Sequence, residues 1–454
     1  MTFKAPVKDL LFNIAHIAPW SGDPAYDLEI VGAVLEEFGR FCVEEIAHLN
    51  ASGDRAGSRC EGGQVHTPPG FPQAYAKFMA MGWQGLVHPS DYGGQDLPRA
   101  VGAAAGEIIN AANMSFALCP LLTDGAIDAL HHFGSPQMQQ TYLPKLVSGA
   151  WTGTMNLTEP QAGSDLALLR TRAERQVDGS YQITGTKIFI TYGDHDLTEN
   201  IIHLVLARTP DAPKGVKGIS LFLVPKRLAE DGAPNAVRCQ SIEHKLGVRA
   251  SPTCVLAFEG ATGFLIGREN AGLEYMFTMM NAARFAVGVQ GVAIGERAYQ
   301  LALSYARTRH QGRPVDGSAP EAVAIIQHPD VRRMLAQMRA TTEGCRALAA
   351  FAAGCQVGPR PQARLNSAPK PWPWPSSWCR WSRGSAPKRA WRPPHWACKS
   401  TAAWALSRKP GLHSTTAMHA SCQSMKAQPP FRPMTCLAAR RCATAGRSRG
   451  ASPQ

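Results

Sequence analysis

Met155-Asn156-Leu157-Thr158-Glu159-Pro160-Gln161-Ala162-Gly163-Ser164-Asp165 marks the point where the chain changes its hydrophobic period. Upstream the period is helical. Leu28, Ile30, Val31, Val34, Leu35, Phe38, Phe41 and Cys42 recur at three- and four-residue steps, the spacing of one helix face. Further helices are expected over 72–83 and 101–122, and Ser135-Pro136 reads as an N-cap followed by proline at the first helical position. Downstream, residues 181–192, 200–208, 219–226 and 252–258 are short, apolar and β-branched, separated by turns rich in Gly, Pro and Asp. That pattern reads as an antiparallel sheet or barrel. Helical spacing returns over 272–310, where Gly288, Gly291 and Gly295 share one side, and again from Pro329 to about Ala353. Helices, then strands, then helices make an α+β chain of separate domains.

Charge is distributed as unevenly as the periods. The formal net charge is +13, yet 17 of the 47 Lys and Arg lie at or beyond position 358, where no Asp or Glu occurs. Residues 1–357 carry 30 basic against 34 acidic side chains, so the body is mildly acidic and gives no basic footprint for nucleic acid. Seven of the ten Trp and 14 of the 34 Pro also fall in the last 97 residues, including Pro371-Trp372-Pro373-Trp374-Pro375. Such a run fits neither a helix nor a central strand. No run of about 18 apolar residues predicts membrane insertion, and Met1-Thr2-Phe3-Lys4-Ala5-Pro6 has no signal-peptide pattern. Seven scattered Cys in the body, none in a CxxC pair, suit a reducing cytoplasm and predict no metal site.

The 155–165 segment joins a Thr hydroxyl, a Pro turn and a Gly-Ser nest, which together can offer hydrogen bonds to a planar heterocycle and to phosphates. It could equally be an ordinary loop before a strand. It is accompanied, in order, by Pro89-Ser90-Asp91-Tyr92-Gly93-Gly94-Gln95, Tyr142-Leu143-Pro144-Lys145-Leu146, residues 183–191, Glu243-His244-Lys245-Leu246-Gly247 with Ser251, and Arg284. Taken together, about residues 3–355 resemble the acyl-CoA dehydrogenase family. The opening Phe3-Lys4-Ala5-Pro6-Val7 with Leu10-Leu11-Phe12 is similar to its long bacterial branch, the 3-methylmercaptopropionyl-CoA dehydrogenase type.

The resemblance implies a helical N-terminal domain over 37–150 behind an extension over 1–36, a central β-barrel over 151–262, a truncated C-terminal helical bundle over 272–356 and a disordered basic tail over 357–454. It implies FAD as cofactor, an acyl-CoA substrate, electron-transfer flavoprotein as acceptor and a homo-oligomer in the cytoplasm. Met155, Leu157 and Thr158 match the stretch along the flavin ring. Gly163 and Ser164 match the turn near the flavin phosphates, Ser164 also approaching the acyl-CoA. Phe189, Ile190 and Thr191 match the strand over the other side of the isoalloxazine. Arg284 matches an arginine of the acyl-CoA site, and Arg309 a contact to the FAD diphosphate of a neighbouring subunit. Glu243 and Lys245 read as a surface pair, and His131, His132 and His195 as ordinary polar positions.

The chemistry explains these residue types. Forming an enoyl thioester removes an α-proton and a β-hydride. Side chains offer no hydride acceptor, so a flavin supplies one, and the proton needs a carboxylate base. The family places that base in a C-terminal Tyr-Glu-Gly-Thr type motif, and no carboxylate follows position 357 here, so no catalytic residue is assigned. Reading each codon's third base with the next two bases forces Gly from Trp404-Ala405 and Glu from Met425-Lys426. It also permits a glycine-rich loop and the Tyr-Glu-Gly-Thr motif around those positions. A change of reading frame near residues 355–366, with impaired activity, is the expectation. The alternatives are a non-catalytic flavin- or CoA-binding protein with a basic interaction tail, and an acyl-CoA oxidase.

Overall fold

The computed structural model describes residues 3–19 and 27–355. The tail over 357–454, the truncated end of the bundle and both recoded motifs lie outside the described residues. Helices come first: α1 (Val7–His16), α2 (Leu28–Phe41), α3 (Leu49–Ala56), a small hairpin of β1 (Arg59–Glu61) and β2 (Gln64–His66), α4 (Phe71–Ala80), α5 (Arg99–Phe133) and α6 (Pro136–Val147). Ser135 caps α6 as its sequence suggests, its side chain accepting from the Met138 N–H. On α2, Val31, Leu35, Phe38 and Phe41 are buried as the period requires, whereas Leu28 and Ile30 are exposed.

One helix is longer than expected, and broken. Asn113 in α5 has an extended backbone (φ −156°, ψ 96°). Its side-chain oxygen accepts from the Phe116 N–H, capping the second half of the helix. The carbonyls of Ala111 and Ala112, freed by the break, accept from the Arg297 guanidinium.

The strands are β3 (Trp151–Asn156), β4 (Arg172–Arg175), β5 (Tyr181–Thr191), β6 (Asn200–Ala207), β7 (Ser220–Pro225), β8 (Val237–Ile242) and β9 (Thr253–Leu265). The ladder runs β3-β6-β7-β9-β5-β4, with β8 branching from β9. One detail departs from the sequence expectation: the β3–β6 pair is parallel. A bridge between Arg172 at the start of β4 and Arg208 just past β6 links the far end of the ladder back to β6. Long β9 pairs β5 and β8 along most of its length and β7 at its end, so two half-sheets share it.

Between those half-sheets lie Ile183, Val205, Phe222, Val224, Leu256 and Phe258. The opposite face of β6 and β7, carrying Ile202, Leu204, Leu221 and Leu223, packs with Leu122 and Ala126 of α5. Burial on both faces is why β6 and β7 are continuous apolar runs rather than alternating ones. Gly153 permits the contact with α5, because a Cβ there would stand 2.3 Å from that of Ala126.

The chain closes with α7 (Gly272–Thr308) and α8 (Pro329–Gly354), and Gly288, Gly291 and Gly295 are buried on α7. Near the end of α7 these helices share a small core of their own, Ala298, Ala302 and Ala306 against Leu335 and Met338, but most of their buried faces join the N-terminal helices. Phe285, Val289, Ala293, Ala349 and Ala353 join one cluster with Leu10, Ile14, Leu35, Phe71 and Ile108. Arg346 of α8 anchors the join, with its guanidinium bonded to Glu107 at 2.6 Å and Glu296 at 2.7 Å, all three buried.

Candidate active site

The loop leaving β3 is held from beneath by an ion pair. Leu157 is buried, Met155 and Thr158 are half-buried, and Gly163 and Ser164 are exposed. Glu159 and Ala162 exchange two backbone hydrogen bonds of 3.0 Å across Pro160-Gln161, closing a tight turn that presents Gly163 and Ser164 outward. The Glu159 carboxylate turns inward. Its Oε1 accepts from Lys187 Nζ at 2.8 Å, Thr171 Oγ1 at 2.5 Å and Thr171 N–H at 3.1 Å, and Oε2 accepts from Arg170 N–H at 2.7 Å. Lys187 Nζ also donates to the Leu157 carbonyl at 3.1 Å. The side chains of Lys187 and Glu159 are 0 % and 3 % exposed.

Burial alone raises the Glu159 carboxyl, but Lys187 and the bonds from Thr171 and Arg170 override it and hold the group below the usual carboxylate range. Burial pushes the Lys187 ammonium down to about 8 despite its partner.

The same contacts bring the second predicted stretch alongside the first. Ile188 N–H donates to the Thr158 carbonyl at 2.9 Å. Between Lys187 and Ile190 the register against β9 slips, and at this bulge Phe189 takes φ +60° and is 57 % exposed. A bulky residue held in the left-handed region is locally strained backbone, and here it also leaves an aromatic side chain in solvent. Thr191 is half-buried and Ile190 buried. Tyr192, also left-handed at φ +50°, anchors the strand end by donating from its hydroxyl to the Ser115 carbonyl at 2.7 Å.

Arg284 lies half-buried on α7, donating to Asn281 Oδ1 at 2.9 Å, with its guanidinium 5.3 Å from the Phe277 ring centroid. Arg309 is exposed just beyond α7, and its carbonyl accepts from Ile325 N–H. Among the described residues, none of its hydrogen bonds or ion pairs reaches the 155–165 loop.

The comparisons meet this geometry from outside. Models of the N-terminal, middle and C-terminal domains of acyl-CoA dehydrogenases match residues 32–150, 154–261 and 270–368. The chain belongs to the acyl-CoA dehydrogenase family. It is 61 % identical over 364 residues to the 3-methylmercaptopropionyl-CoA dehydrogenase of Ruegeria pomeroyi, covering 78 % of this chain and 62 % of that one. It is 36 % identical to a broad-specificity linear acyl-CoA dehydrogenase of Mycobacterium tuberculosis, covering 78 % and 61 %. The chain thus spans about three fifths of the length of the curated relatives it matches. The solved structure of butyryl-CoA dehydrogenase from Megasphaera elsdenii shares the fold, with a TM-score of 0.71 at 22 % identity over 87 % of this chain and 94 % of that one.

Two features of this family member escaped the sequence reading. The first is the Lys187–Glu159 pair. Strand period places Lys187 on the same face as buried Tyr181 and Ile183, so a cation at that phase signals a buried acid. The second is a cavity of about 160 Å³ between the 83–87 turn, α5 and α7, walled by Phe38, Trp83, Ile109, Phe285 and Val289. Its walls come from several elements far apart in the chain, α2 and α4 included, so no local period announces it.

Two minor readings change. Lys245 is not half of a surface pair with Glu243. Its ammonium is turned onto the Ser251 carbonyl and Thr253 Oγ1, and burial pushes it down to about 8. His195 is fully buried on Thr152 Oγ1 at 2.9 Å, and burial with nearby Lys226 pushes it down to about 3. Among the described residues no helix is long and apolar enough to cross a membrane.

Proposed function

We propose that this chain is built for flavin-dependent α,β-dehydrogenation of an acyl-CoA thioester in the cytoplasm, with electron-transfer flavoprotein as acceptor. The observation that carries this reading is the juxtaposition of the 155–158 edge and the strained 187–191 segment over one buried ion pair. An exposed aromatic ring, a half-buried Thr hydroxyl and an exposed Gly-Ser turn at one loop cluster fit FAD. Met155, Leu157, Thr158, Gly163, Ser164, Phe189, Ile190 and Thr191 would hold it, and Arg309 of a second copy would complete it in a homo-oligomer. When bound, the flavin supplies the hydride acceptor that side chains lack. Ser164 and Arg284 hold the acyl-CoA.

The protein's own residues orient the thioester and exclude water. The proton acceptor is a separate matter, because no Asp or Glu follows Glu343 in the sequence. Residues beyond a frame change somewhere near 355–366 read best as translation in another frame, so reduction of bound flavin by substrate is expected to be slow or absent. The domain scheme 37–150, 151–262 and 272–356 belongs to the same reading.

Anaerobic titration of the FAD-loaded chain with acyl-CoA tests it. Binding seen as a flavin spectral shift, with little bleaching, is expected. Absence of both FAD and acyl-CoA binding would refute the assignment, and full bleaching would refute the missing base. Sequencing the gene across codons 355–366 checks the frame directly.

A further inference from the structure

We propose that the cavity between α5 and α7 selects short acyl chains ending in a hydrogen-bond-donating group, through the carboxylate of Asp124, and rejects chains ending in a carboxylate. The proposal rests on the acyl-CoA reading above. Ala282, Phe285 and Ala286 line the cavity on the same turns of α7 that carry Arg284.

Size comes first. A cavity of about 160 Å³ compares with the roughly 150 Å³ that accepts benzene, so about six non-hydrogen atoms fill it. Chemistry follows. Most of the lining is apolar, but Gln84, Arg99, Asp124 and Asp128 also line it. Asp124 Oδ1 accepts from Gln84 Nε2 at 2.5 Å and His88 Nε2 at 2.8 Å, from side chains that are almost wholly buried. The carboxylate is thereby fixed, while the side chain stays 42 % exposed and no hydrogen bond from the described residues reaches Oδ2.

Two further lining residues carry unanswered polarity. Among the described residues nothing partners the buried Gln84 Oε1 and Trp83 Nε1, an arrangement that native interiors rarely leave incomplete. One turn along α5, Asp128 is paired to Arg99 at 2.7 Å. Two carboxylates and one guanidinium leave this end with a formal excess of one negative charge. A hydroxyl or ammonium at the chain end satisfies Asp124, a methyl leaves it unpaired, and a second carboxylate faces like charge across a short distance.

The test uses three acyl-CoA probes of similar length, 4-hydroxybutyryl-CoA, pentanoyl-CoA and succinyl-CoA, titrated calorimetrically into the full chain. The wild type is expected to bind the hydroxy probe about tenfold or more tighter than pentanoyl-CoA, from one hydrogen bond to a charged group, and succinyl-CoA weakest. Asp124→Leu reverses the first preference. The near-isosteric Asp124→Asn keeps the fold and relieves the exclusion of succinyl-CoA. Equal affinities in all three proteins overturn the role of Asp124 and leave the acyl-CoA reading standing. Failure of the wild type to bind any probe overturns both.

Discussion

Replacing Lys187 with Met tests whether the buried pair, rather than the loop's own turn, holds the 155–165 segment in place. The substitution keeps most of the volume and removes the charge. It leaves the Glu159 carboxylate 3 % exposed without its counter-ion, and strips the Leu157 carbonyl of its donor. Breaking a buried pair from one side costs about 3–5 kcal/mol. Here Thr171 Oγ1, Thr171 N–H and Arg170 N–H still serve the carboxylate, which places the cost near the lower end, about 3 kcal/mol.

Adding Glu159→Gln removes the stranded charge, so the double variant should be clearly less destabilised than the sum of the singles. The pH dependence has a definite sign. Glu159 is held low in the folded protein, so its contribution is present above its unfolded pKa and is lost as pH falls through the folded value. Without Lys187, burial raises that carboxyl, and the variant's deficit should shrink between pH 7 and pH 4. Urea midpoints at both pH values measure this, and hydrogen exchange at Ile188 N–H reports the bond to Thr158. A Lys187→Met chain with wild-type stability and unchanged Ile188 protection would refute the reasoning.

Arg346→Met leaves Glu107 and Glu296 facing each other without their shared cation and should cost about 3–5 kcal/mol by thermal or urea unfolding. Converting both glutamates to Gln in that background should recover much of the loss. Burial pushes His203 down to about 3, so its contribution is complete above the unfolded value near 6.5 and falls away as pH drops towards 3. The slope is up to about 1.4 kcal/mol per pH unit. His203→Gln should flatten the acid limb between pH 6 and 4, and a limb unchanged in steepness would count against it. Phe189→Gly relieves a left-handed bulky residue and should raise stability by about 1 kcal/mol, while FAD retention after gel filtration falls. Unimpaired retention would remove Phe189 from the flavin site.

Much of the molecule was legible before any coordinates. The strands at 181–191 and 200–207 and the helices at 272–308 and 329–354 lie where period and turn residues place them, because these elements bury long, regular faces. Short elements were less visible. The 237–242 strand alternates poorly, with Cys239 its one buried side chain, and β3 looks like the approach to a loop. The break at Asn113 was hidden because its compensation comes from Arg297, 184 residues away.

What the sequence determined by itself was the order of elements, the uneven charge and the residue types that suit a flavin and a thioester. Each depends on neighbours within a few residues, so a linear string carries it. Tertiary structure alone decided which buried charges pair, Lys187 with Glu159 and Arg346 with Glu107, and that Asp124 and Asp128 of α5 line one cavity. Those outcomes depend on how separate helices and strands meet in space, and desolvation makes their consequences large only once the chain has closed around them.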